Sequence, residues 1–360
     1  MNRINVTKSF LPPKEEYEKM LERVWQSEWL TNNGPLLVEL ETTLQKNLDL
    51  PYFAITSNGT IAIQLAIKAL NLSGEIITTP FSYCATTTSI LWENLKPVFV
   101  DIREDDLNIN ADLVEAAITD KTSAILATHV YGNPCDVEKL ESIGKKYGIK
   151  IIYDAAHAFG VVYKGKPLLS YGDMSTCSFH ATKVFHTVEG GCVVCHDKEL
   201  FERVKLMRSF GHVQDDYYLA GVNGKNSEFH AAMGLVNLGH LDSIIAGRKA
   251  IFGIYDQTLN WNKLYKPTEV ATDLKYNYAY YPIVLEDEDT TLRVIKALQA
   301  ENIYPRRYFY PTLNTLQYVP ETYYCPVSES VSPRVISLPL YPDLDHGKVN
   351  KIAEIINAQL

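Results

Sequence analysis

Residues 123–157 read SAILATHVYGNPCDVEKLESIGKKYGIKIIYDAAH. Two apolar runs, 123–128 and 150–153, flank an amphipathic stretch at 137–147. Ala124-Ile125-Leu126 and Ile151-Ile152 lack the polar alternation of a half-wet strand, so each run reads as a strand buried on both faces. The same alternation continues outward. Further strands are expected at 53–56, 75–79, 97–100, 176–179 and 191–195, and further helices at 61–70, 82–93, 111–117 and 198–207. Strands alternating with helices predict an α/β fold, a large mostly parallel sheet with helices on both faces. Ligand residues in such a sheet gather in loops at the carboxyl ends of the strands.

A helix is expected at 235–259. Beyond it the texture changes to a Tyr- and Pro-rich region with strands at 278–284 and 334–338 and helices at 290–301 and 347–360. This predicts two units: an N-terminal segment and large domain over 1–245, and a smaller C-terminal α+β domain over 246–360. The 360 residues suffice for both. With 46% hydrophobic and 21% charged residues, the composition is that of an ordinary globular protein. The net charge of −9 offers no footprint for a nucleic acid or an anionic membrane. The start, MNRINVTKSFLPPKEEYEKM, has no apolar h-region, and no apolar run spans a bilayer. A cytoplasmic protein is expected.

The six cysteines are too scattered for a disulfide framework. Cys192 and Cys195 form a C-x-x-C inside a predicted strand, where that spacing sends the thiols to opposite faces. No metal site is expected. Nor does a G-x-G-x-x-G follow any strand, which speaks against a Rossmann dehydrogenase, and no Walker loop is present.

Four local features could carry chemistry. Ser57-Asn58-Gly59-Thr60 lies between a strand and a helix, where it either caps the helix or offers free amides to a phosphate. Asp154 ends a buried strand and needs a partner, either a helix cap, a salt bridge or a protonated heteroaromatic nitrogen. Lys183, in Ser178-Phe179-His180-Ala181-Thr182-Lys183, leaves a strand end and precedes Glu189-Gly190-Gly191. It is either a surface charge or a desolvated amine with a lowered pKa, fit for a Schiff base. Pro80-Phe81-Ser82-Tyr83-Cys84-Ala85-Thr86 follows another strand and is either core or an aromatic platform.

Phosphate cradle, ring platform, acid and lysine occur in that order. Together with LTNNGP (30–35), SNGTIAIQLA (57–66), DIREDDLNINADLVEAAIT (101–119), THVYGNPCDVE (128–138), YDAAHAFG (153–160) and LPLY (338–341), they make the chain resemble the DegT/DnrJ/EryC1/StrS nucleotide-sugar aminotransferases. The resemblance covers nearly the whole chain. It implies the fold-type-I, aspartate aminotransferase-like architecture and a pyridoxal 5'-phosphate (PLP) cofactor. Lys183 would then bind PLP covalently and shuttle protons, and Asp154 would pair with the ring nitrogen. His157 would lie near the phenolic oxygen, and Tyr83 would cover the ring face. Gly59, Thr60 and Ser178 would hold the phosphate, joined by Asn223 of a neighbouring subunit. At that last position Gly224-Lys225-Asn226 departs from the family's G-x-N-x-R-M pattern. A homodimer with shared active sites follows from the resemblance as well.

Pro305-Arg306-Arg307-Tyr308-Phe309-Tyr310-Pro311 looks like a stretch of the enzymes that aminate C4 of dTDP-4-keto-6-deoxyglucose with glutamate, the 2-oxoglutarate-forming donor. The product, dTDP-4-amino-4,6-dideoxyglucose, leads to sugars of surface polysaccharide such as O-antigen and lipopolysaccharide. Arg306 and Arg307 suit a pyrophosphate, and Tyr308 and Tyr310 the sugar or base; structural ion pairs and core tyrosines are the other reading. C3 amination of a dTDP-3-keto-6-deoxyhexose is the runner-up activity, and a PLP-binding sensor without catalysis is the alternative of another class. Family members that dehydrate their substrate commonly replace the lysine by histidine, and Lys183 is present.

Overall fold

The structure, a computed structural model, describes residues 3–267 and 273–360. Its central sheet has seven strands: β1 (Tyr52–Thr56), β2 (Glu75–Thr78), β3 (Lys96–Phe99), β4 (Thr122–Thr128), β5 (Lys150–Asp154), β6 (Met174–Ser178) and β7 (Gly191–Cys195). They lie in the order β1-β7-β6-β5-β4-β2-β3. The pairs from β6 to β3 are parallel, and β7 runs antiparallel to both its neighbours. The strand positions expected from sequence match these, because runs buried on both faces are the strongest strand signal an α/β chain carries.

Helices cover both faces. On one, α3 (Gly59–Ala69) and α6 (Lys198–Met207) pack through Ile63, Ala66 and Val204 onto Ala54, Ile76, Leu126, Ile152 and Val193. On the other, α5 (Val137–Tyr147) packs through Val137, Leu140 and Ile143 onto Ile125 and Ile151. Between them in the chain, α4 (Cys84–Trp92) follows β2. Cys192 and Cys195 belong to different cores on opposite faces of β7, and all six thiols are free.

The expected helix at 235–259 is instead two helices, α7 (Glu228–Gly239) and α8 (Leu241–Thr258), broken at His240. His240 takes φ −103° and ψ 0°, and its ring bonds Glu16 at 2.7 Å. The start was set too late because Ser227, not an apolar residue, begins the helix by accepting the His230 N–H. The strand expected at 278–284 shrinks to β8 (Pro282–Val284), since Tyr278 has φ +53° and cannot sit in a ladder. It pairs antiparallel with β9 (Val335–Ser337), and α9 (Glu288–Ala300) and α10 (His346–Asn357) pack beside them. The division expected at 245/246 falls inside α8. One continuous core joins Leu40, Phe53 and Val194 to Ile251, Ile283, Ile336 and Ile352. No helix among the described residues is long and apolar enough to cross a membrane.

Two helices, α1 (Lys14–Ser27) and α2 (Pro35–Asn47), precede the sheet. The first amides of α2 have no partner within their helix. The Glu228 carboxylate, buried at the start of α7, accepts from Leu36 N at 2.7 Å and Leu37 N at 3.0 Å. A buried anion satisfying two amides at a helix N-terminus is a charge-assisted cap. Glu228→Ala should therefore destabilise the protein by about 2–3 kcal/mol in urea unfolding. Glu228→Gln, which keeps one acceptor oxygen, should lose about half of that.

Candidate active site

The carboxyl ends of β1, β5 and β6 and the first residue of β7 meet on one edge of the sheet, where Gly191 pairs with both Thr56 and Ser178. A cavity of about 300 Å³ opens there. Gly59, Thr60, Tyr83, Asp154, His157, Ser178 and Lys183 all line it, with Arg306 and Tyr308 arriving from the C-terminal region. These residues are scattered over some 250 positions of the chain, and the sheet edge brings them together.

At one end of the cavity lies the N-terminus of α3. Asn58 caps it, its side chain accepting from Ile61 N at 2.9 Å. The cap leaves the amides of Gly59 and Thr60 to any ligand, so capping and anion binding coexist here. The approach is tight at Gly59 and close enough to demand glycine at Gly191. A Cβ on Gly59 would lie 3.0 Å from the Ser178 Cβ, and one on Gly191 would lie 2.6 Å from the Asn58 carbonyl carbon.

Asp154 is the last residue of β5 and is buried. Its Oδ2 accepts from Thr86 Oγ1 at 2.7 Å and its Oδ1 from Ala156 N at 3.1 Å. Burial raises the carboxyl pKa above its ordinary value, and Thr86, Ala156 and the Lys183 amine offset only part of this. Lys183 stands across the cavity with its Nζ 3.4 Å from Tyr280 Oη. The lowered pKa expected of a desolvated amine is corrected here: the free amine lies above its ordinary value. Burial does lower it, but Tyr280 and Asp154 outweigh that by favouring the ammonium.

His157 is buried in the turn after β5. Its Nδ1 accepts from Tyr131 N at 3.1 Å, a contact made possible by the left-handed backbone of Tyr131 (φ +57°). The proton of a neutral ring therefore sits on Nε2. Burial holds the ring pKa well below 6.5, so it is neutral. Parallel rings of Tyr131 and Phe309, at 6.4 and 5.8 Å, fix its plane.

The remaining candidates divide. The Arg306 backbone is pinned to β9 by two hydrogen bonds with Ser337, and its guanidinium lies over the Tyr308 ring without an ion pair among the described residues. Arg307 turns away from the cavity, bonds Glu288 at 2.7 Å and covers the ring of Tyr310. Tyr310 is exposed outside the cavity. Asn223 is likewise exposed and does not reach the cavity of its own chain. Sequence reading missed Tyr280, Phe309 and Thr86. Thr86 lay within a quoted motif, but nothing local distinguishes Tyr280 among 23 tyrosines.

These residues fit PLP. A protonated ring nitrogen is the cation that the buried Asp154 carboxylate lacks, the α3 amides with Ser178 suit its phosphate, and Lys183 is within the same cavity for its aldehyde. Comparison with known proteins agrees. The model of the DegT/DnrJ/EryC1/StrS aminotransferase family matches residues 13–357. A dTDP-4-amino-4,6-dideoxy-D-glucose transaminase of Shigella dysenteriae is 40% identical, over 98% of both chains. One of the same name from Escherichia coli is 38% identical, again over 98% of both. The crystal structure of DesI in the presence of its TDP-sugar product superposes with a TM-score of 0.94 at 30% identity, covering 99% of this chain and 93% of DesI.

The histidines predict a pH dependence of stability. His129 is buried against Tyr153, with ring centroids 4.4 Å apart, and burial drives its pKa down to about 3. His157 is lowered too. Both values lie below the unfolded value of about 6.5. The stability that each neutral ring contributes is thus complete above that pH and is lost as pH falls towards the folded pKa. The unfolding free energy of the apoprotein should fall by about 1.4 kcal/mol per pH unit for each ring below pH ~6. His157→Gln should remove one of these two contributions in urea titrations at pH 7, 5.5 and 4.5.

Proposed function

The chain belongs to the DegT/DnrJ/EryC1/StrS aminotransferase family and is a PLP-dependent aminotransferase, and we propose that its acceptor is C4 of dTDP-4-keto-6-deoxyglucose. The product is then dTDP-4-amino-4,6-dideoxyglucose. The observation that carries this reading is Arg306, a cation without an ion pair among the described residues, lining the cavity that holds Lys183 and Asp154. A diphosphate bound there would direct the linked sugar inward. Full-length similarity to two 4-amino-sugar transaminases supports the choice of sugar.

The cofactor, when bound, supplies the electron sink for the carbanionic reaction. The protein's part is positioning and proton transfer. Lys183 would carry the cofactor and, once released by the amino donor, its amine would move a proton at the donor's α-carbon and at C4 of the sugar. Asp154 would keep a proton on the ring nitrogen. His157, locked by Tyr131, would present Nε2–H to the phenolic oxygen. Tyr83, exposed at the cavity wall, would cover the ring face. Gly59, Thr60 and Ser178 would hold the phosphate, and Asn223 would reach the cavity of a second copy in a homodimer. Glutamate serves as donor, returning 2-oxoglutarate. Tyr308 would meet the sugar or base, whereas Arg307 and Tyr310, engaged with Glu288 and with each other, brace the loop. A cytoplasmic role in making surface polysaccharide, O-antigen or lipopolysaccharide, fits this product.

Incubation with glutamate and, separately, the 3-keto and 4-keto dTDP-6-deoxysugars tests the regiochemistry. Mass and NMR should show a 4-amino product from the 4-keto sugar; a 3-amino product would move the reading to C3 amination, and none at all to a sensor. Lys183→Ala should lose the visible absorption of the lysine-bound cofactor and at least about 1,000-fold in turnover. Arg306→Ala should raise the KM for the sugar nucleotide about 10- to 100-fold, the value of a lost charge-assisted bond. Arg307→Ala should change it less than about 3-fold.

A further inference from the structure

Three buried hydroxyls stand behind Asp154 in a continuous line. Thr86 Oγ1 is 2.7 Å from Asp154 Oδ2, Ser82 Oγ is 2.7 Å from Thr86 Oγ1, and Thr128 Oγ1 is 3.0 Å from Ser82 Oγ. All three residues are at most 2% exposed. They come from three places: the loop after β2, the first turn of α4 and the end of β4.

Each hydroxyl has one proton, and that fixes the polarity of the line. An ionised Asp154 can only accept, so Thr86 donates to it. Thr86 has then spent its proton and must accept from Ser82. Ser82, having spent its own, must accept from Thr128. Three aligned O–H dipoles thus end on one carboxylate oxygen. The opposite polarity requires a protonated Asp154, and two other neighbours oppose that: the Ala156 N–H on Oδ1 and the Lys183 amine.

We propose that Thr128, Ser82 and Thr86 form a one-way hydrogen-bond chain that holds Asp154 as an anion aimed at the cofactor's ring nitrogen, making all three positioning residues of the reaction. The proposal rests on the PLP aminotransferase reading of the cavity. In a low-dielectric site hydrogen bonds polarise one another, so the two distal hydroxyls act through Thr86. Without the chain, burial favours a neutral carboxyl, the proton shared by Asp154 and the ring nitrogen moves to the carboxyl, and the electron sink weakens. The titratable and charged groups that line the cavity with Asp154 are Tyr83 from the loop after β2, His157 from the turn after β5, Cys177 on β6, His180, Lys183 and Glu189 from the loop after β6, and Tyr280, Arg306 and Tyr308 from the C-terminal region; of these, Lys183 lowers the Asp154 pKa. None of them is removed by changing the hydroxyls.

The experiment uses the reconstituted holoenzyme and five variants: Thr86→Val, Thr86→Ser, Ser82→Ala, Thr128→Val and the double variant Thr86→Val/Ser82→Ala. Wild type must first transaminate, which separates failure of the proposal from failure of the aminotransferase reading. Thr86→Val should lower kcat about 10- to 100-fold with KM within about 3-fold, as for a lost hydrogen bond to a charged group. Ser82→Ala should cost less, about 3- to 10-fold, and Thr128→Val less again. Thr86→Ser should recover activity to within about 3-fold, which also shows that the site is folded.

A second readout does not depend on turnover. The visible absorption of the bound cofactor is titrated with pH, and its acid transition should move to higher pH in Thr86→Val and, to a lesser extent, in Ser82→Ala. The double variant should be no worse than Thr86→Val, because Ser82 has no route to Asp154 once the Thr86 hydroxyl is gone. Multiplicative losses in the double variant, or an unmoved absorption titration in Thr86→Val, would overturn the proposal and leave the hydroxyls as packing groups.

Discussion

A carboxylate out of water at the end of a strand is tolerated only where donors surround it, and Asp154 is the point on which the site turns. The Thr86 hydroxyl, the Ala156 amide and the Lys183 amine supply part of what water would. A protonated heteroaromatic nitrogen placed in the cavity would satisfy the carboxylate further. Against the effect of burial, Tyr280 and, after it, the same carboxylate raise the Lys183 amine above its ordinary value. Acid and amine therefore define each other's state.

Around this pair the architecture is a matter of close approach. β7 runs antiparallel between β1 and β6, which places Gly191 against both strand ends and against the turn at Asn58 and Gly59. A Cβ at Gly191 would push against the backbone of Asn58 and Gly59. The turn at the α3 N-terminus is thus built from an absence of side chains, whereas the rest of the cavity wall is built from their presence: Tyr83, His157 and the layer of Phe309 and Tyr131.

The C-terminal region closes the cavity without owning any part of the sheet. Its β9 pins Arg306 through two backbone bonds, and Tyr308, Phe309 and Tyr280 enter the cavity from the same side. Because one core runs from α2 through β7 and α8 to α10, this placement is rigidly tied to the edge that carries Lys183. The Arg306 backbone is thereby held at a set position relative to the Lys183 amine.

The sequence by itself marked the seven strands, most of the helices around them, and Asp154, Lys183 and the turn Ser57-Asn58-Gly59-Thr60 as candidates. Each of these is written in neighbouring residues: uninterrupted apolar runs, an acid at a strand's end, a lysine before paired glycines. The break at His240 escaped because the apolar pattern of α7 runs on into α8, and α1 and α2 escaped because their partners lie far along the chain. Only the tertiary structure decided that Arg306 faces the cavity while Arg307 meets Glu288, that Tyr280 touches Lys183, and that hydroxyls from the segment joining β2 to α4 and from the end of β4 line up on Asp154. Apart from Ser82 and Thr86, those are contacts between residues 19 to 97 positions apart, and local pattern holds no record of which side chain will meet which across a folded sheet edge.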